Sequence, residues 1–487
     1  MTLTAAQRDR ACGVLLATAA GDALGAGYEF GPSLSPDTPV DMIGGGLGPF
    51  KPGEWTDDTS MAIAIAEIAA TGADLRSEEA QDYMVRRWHA WAKTAKDVGM
   101  QTRSVLSTAG SLGISAKTAR EESARLHKRT GRSAGNGSLM RTAPVALAYL
   151  DDESALAEAA REVSELTHYD PEAGDACVLW CLAIRHAVLT GNLDARIGLG
   201  RIDVERRDLW ASRLDQAEVS QPSEFAGKNG WVVAALQGAW SAIVNTPVPV
   251  GDSTSEDFPT DHLRLALEAA VRGGHDTDTV AAIAGGLLGA AYGASAVPSH
   301  WRLKLQGWPG LRTRGLIQLA NDIVDKGQPD TFDYTYSGFP EARKPVQHPY
   351  DDKVWIGGIA ALRKLPQNVD AIVSLCRVKD VQLPSGAEHL DVRLIDREAE
   401  NDHLDFVLLD TVRAIEQLRT EGRTVFVHCV QAYSRTPTIA ALYGARKRRV
   451  DIDGALRDVL AALPGADPNP AFRQALRRLR PKSGAAS

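Results

Sequence analysis

The sequence predicts a multidomain protein, an all-α domain followed in series by a smaller α/β domain. Three observations lead there. A chain of 487 residues exceeds what one ordinary hydrophobic core organises. From Thr56 to about Ile323 the apolar residues, rich in alanine and leucine, recur at helical spacing, with no alternating strand pattern. The texture then changes at about Asp325. Lys326–Asp352 (KGQPDTFDYTYSGFPEARKPVQHPYDD) is dense in proline, tyrosine, glycine and charge, and beyond it short apolar runs alternate with helical patterns. These changes set an all-α domain at 1–325, a linker at 326–352 and an α/β domain at 353–487.

Taken in order, Gln7–Ala20 reads as a helix ending in Gly21-Asp22-Ala23-Leu24-Gly25, whose close glycines suit backbone packed on another helix or on a ligand. Glu29 leads into a long glycine- and proline-rich loop, Gly31–Pro52, of a kind that often serves as a functional lid. Helices follow over Glu78–Lys96, Glu153–Leu166, Ala173–Thr190, Trp231–Val244 and Asp261–Arg272. In the last domain Val354–Ile356, Ala371–Leu375 and Thr424–Val427 read as strands. Leu404–Leu418 and Thr438–Arg446 read as helices, with two further helical segments closing the chain.

The net charge of −8 argues against a general nucleic-acid binder. Five irregularly placed cysteines make no disulfide framework and point to a reducing cytoplasm. The N-terminal apolar patch is short and interrupted, and no apolar run reaches the ~20 residues of a membrane span. No membrane partner is expected.

The chemistry begins at Gly53–Ala70, GEWTDDTSMAIAIAEIAA, where Thr56, Asp57 and Asp58 precede a buried helix. One acid there is an ordinary N-cap; two adjacent acids add repulsion that capping does not need. The pattern recurs in GGHDTDTVAAIAGGLLGAAYG, where Asp276, Asp278 and Thr279 open a second apolar helix. Four carboxylates carry four negative charges, which two divalent cations balance. Donors that are all oxygen, without cysteine or paired histidine at zinc spacing, suit Mg2+ or Mn2+. Between the clusters, Gly135-Asn136-Gly137-Ser138 precedes a helix and reads either as a tight turn or as an anion cradle. His168, in LTHYDP, reads alone as a surface or capping residue.

GDALG with the downstream Glu29, WTDDT, GNGSLMR, LTHYDP and GGHDTDT occur together in this order, and over roughly residues 8–323 the chain resembles the ADP-ribosylglycohydrolase family. The resemblance implies an all-α fold with two Mg2+ ions bound by residues matching Thr56, Asp57, Asp58, Asp276, Asp278 and Thr279. It also implies ADP-ribose with its distal ribose hydroxyls on the metals, its diphosphate on Gly135–Ser138 and a contact from His168. An acid matching Glu29 acts at the glycosidic bond in some members, as acid, base or gate. The implied substrates are ADP-ribosylated proteins or small molecules, and the linkage is left open.

Thr424–Thr436, TVFVHCVQAYSRT, carries a second chemistry: a strand, His428-Cys429, five residues, then Arg435-Thr436 and a helix. Such a loop wraps N–H groups around a phosphate, and the helix dipole favours a thiolate. Cys429 is the expected nucleophile and Arg435 the bidentate phosphate grip, with Ser434 and Thr436 beside them. With VWIGG, AIVSLC and LIDREAEND upstream, the segment from about Val354 resembles the dual-specificity, tyrosine-phosphatase-like cysteine phosphatases. By that resemblance Asp396 is the general acid, ahead of Asp402, and the substrate is phosphorylated. Two residues depart from the pattern: Ala432 stands where such loops usually have glycine, and Gln431 replaces a smaller residue. The leading expectation is a bifunctional enzyme, an ADP-ribosyl hydrolase fused to a phosphatase. The alternative is a binding module that keeps ligand affinity at one or both sites without turnover.

Overall fold

The computed structural model describes residues 2–251, 256–339, 344–366 and 368–480. Residues 340–343 of the expected linker lie outside the described residues. The chain divides into two compact units, the first comprising Met1–Pro247, His262–Val297 and Lys304–Pro329. The second comprises Val248–Asp261, Pro298–Leu303 and Asp330–Ser487, so it draws two segments from within the range 1–325.

The first unit is built on an antiparallel pair of helices, Ala5–Gly25 and Thr277–Tyr292. Thr4 starts the former through a reciprocal cap with Gln7. The pair meets backbone to backbone. A Cβ on Gly21 would lie 2.1 Å from the Ala281 carbonyl oxygen, and one on Gly285 would lie 2.1 Å from that of Ala17. At Gly25 it would lie 2.4 Å from the Asp278 Cα. The close glycines of GDALG thus serve helix packing, and the C-terminal end of one helix is brought to the N-terminal end of the other. Asp57–Ala69 is buried over nearly its whole length, because its run of alanine, isoleucine and methionine offers no polar face after the opening acids.

Pro171–Thr190, opened by an Asp170 cap and Pro171, is likewise apolar all round. Both it and Ala5–Tyr28 have the length and apolar composition to cross a membrane, contrary to the expectation from run length; 78% and 89% of their apolar windows are packed inside the protein. Alanine, cysteine and scattered aliphatic residues raise the mean hydropathy of these helices without forming a conspicuous apolar run. The region expected to lack strands contains a two-residue pair, Gln306–Gly307 with Leu311–Arg312, closing a short turn.

The second unit carries a five-stranded sheet in the order Val346–His348, Asp351–Gly358, Val425–Cys429, Ala371–Ser374, Glu388–Asp391. The first pair is antiparallel and the remaining pairs are parallel. Val346–His348 lies inside the stretch read as linker, and Glu388–Asp391 carries no strand signal in the sequence. Helices Leu404–Thr420, Arg435–Arg448, Ile452–Ala462 and Pro470–Arg478 complete the unit, and they share one apolar core with the sheet. Parallel pairing aligns the ends of three strands, so Cys429 at the end of the central strand emerges next to Gly358 and beyond Ser374.

Candidate active sites

In the first unit three helix ends converge on one group of acids. Asp22, from the last turn of Ala5–Gly25, accepts from the Thr56 N–H (2.8 Å) and hydroxyl (2.9 Å) and from the Thr59 N–H (2.9 Å) and hydroxyl (2.6 Å). It therefore ties down the N-terminus of Asp57–Ala69. The Thr56 hydroxyl also lies 3.0 Å from Asp58 Oδ2 and 3.3 Å from Asp278 Oδ2. Asp22, Asp58 and Asp278 offer oxygens within 4.8 Å of one another, as do Glu29, Asp276 and Asp278. Asp276 is held by the Asn136 side-chain amide (2.7 Å), which joins the glycine-rich turn to the second acid cluster.

The electrostatics are one-sided. Burial, reinforced by neighbouring carboxylates, pushes Asp58 and Asp278 well above the ordinary carboxylate range. Burial, then Asp97, Asp22 and Asp276, raises Asp57 to about 7. Burial, then Asp276, Asp97 and Asp57, raises half-buried Glu29 to about 8. Burial lifts Asp22 to about 6 against its four hydrogen bonds, and it raises Asp276 as well. Asp58 Oδ1 is buried and accepts no hydrogen bond from the described residues. An orphaned buried oxygen among oxygen-only donors fits a hard divalent cation.

Of the six residues expected to hold metal, Asp58, Asp276 and Asp278 fall in the two trios and Thr56 touches Asp58 and Asp278. Asp57 is in neither trio and meets the Gly99 N–H at 3.4 Å. Thr279 donates its N–H to Asp278 (2.9 Å), and its hydroxyl lies 3.9 Å from the Met140 sulfur.

The expected ligand turn is also assembled. A Cβ on Gly135 or Gly137 would lie 3.2 Å from His168 Nε2, so the ring edge faces the turn directly. His168 is buried, not a surface residue, and burial with the nearby Arg141 charge holds it well below the ordinary histidine pKa. Ser138 points away from the turn: its hydroxyl accepts from Ser164 (2.9 Å), and the Cys177 sulfur lies 3.6 Å away.

In the second unit Cys429 ends its strand, and Arg435 is the first residue of the following helix. The Arg435 Nη1 donates to the carbonyls of Leu375 (2.6 Å) and Leu394 (3.1 Å). Its buried Nε has no hydrogen-bond partner and sits 3.6 Å from Asp396 Oδ2. Asp396 accepts from the Asn469 amide (2.9 Å), whereas Asp402 is exposed on the turn before Leu404. The Ser434 hydroxyl accepts from the Asn469 N–H (3.2 Å). The buried Thr436 hydroxyl donates to the Gly357 carbonyl (3.3 Å), anchoring the loop to the neighbouring strand. His428 lies behind the loop, hydrogen-bonded to Ser374 (2.8 Å) and lowered by burial to about 3, so it is neutral. Ala432 is buried at φ +54°, a left-handed conformation that explains why glycine is expected there.

Asp22, Asp97 and Asn229 did not stand out as site residues in the sequence. Asp22 had a signal, a charged residue inside a run of alanine, glycine and leucine. Asn229, which receives the Asp276 N–H at 3.3 Å, had none.

A mainly helical frame thus gathers buried carboxylates beside a glycine-rich turn and a buried histidine. The chain belongs to the ADP-ribosylglycohydrolase family, whose profile matches residues 3–331. ADP-ribosylarginine hydrolase Tri1 of Pseudomonas putida (strain GB-1) is 31% identical over 332 residues, 67% of this chain and 81% of that protein. A solved structure, "ADP-ribosylglycohydrolase-related protein complex", aligns at 26% identity and TM-score 0.47 over 66% of this chain and 99% of its own. The C-terminal part is similar to protein phosphatase Slingshot homolog 3 of Homo sapiens, 32% identical over 138 residues, 28% of this chain and 20% of that protein.

Proposed function

We propose that the first unit hydrolyses the glycosidic bond of ADP-ribosylated substrates and that the second is a cysteine-dependent phosphatase. The observation that carries the first reading is the buried, unpartnered Asp58 Oδ1 in one of two carboxylate trios that share Asp278. Asp22, Asp58 and Asp278, with Glu29 and Asp276, would hold two divalent cations, Mg2+ or Mn2+, supported by Thr56, Asp57 and Thr279. Such cations supply Lewis acidity toward ribose hydroxyls and lower the pKa of water.

The chain's own residues do the rest. Negative carboxylates stabilise the oxocarbenium-like state of C1″–N or C1″–O cleavage. Glu29, raised to about 8 without metal by burial and then by Asp276, Asp97 and Asp57, handles proton transfer at the glycosidic bond. The turn at Gly135–Gly137 and His168 receive the diphosphate side of the ligand. Similarity to ADP-ribosylarginine hydrolases favours an arginine-linked substrate.

In the second unit the Cys429 thiolate attacks phosphorus, the leaving oxygen takes a proton from Asp396, and Arg435 binds the phosphate oxygens with its unpartnered Nε. The Ala432 conformation supports a second reading, phosphate binding with slow turnover, for this unit alone.

The test is ADP-ribose release, read by mass spectrometry, from arginine-, serine- and phosphate-linked substrates with Mg2+ or chelator, alongside phosphate release from phosphotyrosine peptides. Mg2+-dependent release from the arginine adduct is expected. Tight ADP-ribose binding with no release from any substrate would turn the first unit into a binding module.

A further inference from the structure

Arg141 is a buried charge with no carboxylate at ion-pair distance among the described residues, and Asp57 acts on it only through the field. It is 0% exposed, and among the described residues it forms no ion pair. Its guanidinium lies over the Trp88 ring at 4.0 Å, one Nη faces the Met61 sulfur at 3.7 Å, and its Nε has no partner. A buried guanidinium in apolar company is costly unless hydrogen bonds or charges compensate it. Its one strong hydrogen bond goes from Nη2 to the Thr167 hydroxyl, at 2.7 Å, and that same hydroxyl lies 2.7 Å from His168 Nδ1.

The directions of these bonds follow from donor chemistry. Arginine only donates, so the Thr167 oxygen accepts from it and keeps its own proton to give. Among the described residues His168 Nδ1 is the acceptor available to that proton. A neutral imidazole that accepts at Nδ1 carries its hydrogen on Nε2. The Nε2 edge is the one facing the glycine-rich turn, where added carbons on Gly135 and Gly137 would sit 3.2 Å away. The backbone around the relay is fixed as well, since the Gln101 amide donates to the carbonyls of Ser133 and Thr167, each at 3.0 Å.

We infer that Arg141 and Thr167 are positioning residues that lock His168 as the neutral Nε2–H tautomer, so that it presents a hydrogen-bond donor to an anionic oxygen of a nucleoside diphosphate bound at the Gly135–Gly137 turn. The ligand part of this inference rests on the ADP-ribose reading above; the tautomer part stands on the apoprotein. A neutral donor recognises phosphate oxygens without adding a cation beside the acid cluster, and the lock removes the chance that an acceptor nitrogen faces the ligand. Arg141 contributes its charge through the Thr167 hydroxyl, polarising the O–H toward the ring.

The test uses the full-length protein labelled with 15N-histidine, with the His168 signals assigned by loss in His168→Gln. Two-bond 1H–15N spectra at pH 7 without ligand report the tautomer, and calorimetry with ADP-ribose and Mg2+ reports affinity. We expect a neutral Nε2–H ring in the wild type. Thr167→Val should shift the ring toward Nδ1–H and weaken ADP-ribose about tenfold, and Thr167→Ser, which keeps the hydroxyl, should restore both. An Nδ1–H or imidazolium form in the wild type overturns the relay, as does an unchanged tautomer in Thr167→Val or a serine variant that rescues neither signal. A wild type with the expected tautomer but no ADP-ribose affinity overturns the ligand reading and leaves the relay standing.

Discussion

The two sites are opposite in sign and alike in construction. Around Asp58 the protein buries negative charge that its own groups leave uncompensated, with every carboxylate of both trios pushed upward and one oxygen bare. Around Arg435 it buries a guanidinium nitrogen without a hydrogen bond, at the N-terminus of a helix whose dipole adds positive potential. At the first site the acids face no cation among the described residues, whereas at the second the Arg435 charge has Asp396 3.6 Å away and only its Nε hydrogen bond is unmade. Each candidate site thus holds a buried polar atom with no partner among the described residues, a carboxylate oxygen in the first unit and a guanidinium nitrogen in the second.

This contrast can be broken from either side. The largest effect is expected from Cys429→Ser, which should lower phosphate release by about 10⁴-fold or more while ADP-ribose release stays at the wild-type rate. Loss of both activities would mean that the chemistries are not separate. Asp58→Asn should cost roughly 10²–10³-fold in ADP-ribose release, and it should leave phosphate release untouched.

Next comes a pH signature of the uncompensated acids. Asp22, Asp57 and Glu29 have folded-state pKa values of about 6, 7 and 8, above the ~4 of an unfolded chain. Between those limits the unfolded chain has given up protons that the folded chain keeps, so stability without metal falls as pH rises. In chelator, Tm should drop from about pH 5 to pH 8, and the rise in Tm on adding Mg2+ should be larger at the upper end. An equal Mg2+ effect at both pH values would place the cation away from these acids. The smallest effect is Ala432→Gly. Relief of the left-handed strain at φ +54°, less the entropy glycine adds to the unfolded chain, should stabilise by about 0.5–1 kcal/mol in denaturant melts. Faster phosphate release in the same variant would identify the Cβ as the brake on the loop.

Much of this was legible before any coordinates. The acid pairs announced themselves by exceeding what capping needs, and Asp261–Arg272 is a helix with the boundaries its apolar spacing predicts. Cys429 and Arg435 were marked by the apolar strand before them. What escaped did so for physical reasons. Glu388–Asp391 is an edge strand in which only Leu390 is fully buried, so it has no alternation to read. Val346–His348 follows a proline-rich stretch and borrows its order from Asp351–Gly358. Asp22 hid inside GDALG because the glycines explained the motif. The orientation of Ser138 and the burial of His168 depend on Ser164, Cys177 and Arg141, which lie up to 39 residues away in sequence.

The glycine seam between Ala5–Gly25 and Thr277–Tyr292 has a consequence for how this enzyme tolerates change. Asp22 and Asp278 sit on opposite sides of that seam, and nothing thicker than a hydrogen atom separates the two backbones at Gly21 and Gly25. The seam works as a caliper. One methyl group there would leave every acid in the sequence and still open the gap that spaces them, through a residue that carries no polar side chain. The spacing of Asp22 and Asp278 therefore depends as heavily on what is missing from Gly21 and Gly25 as on the acids themselves.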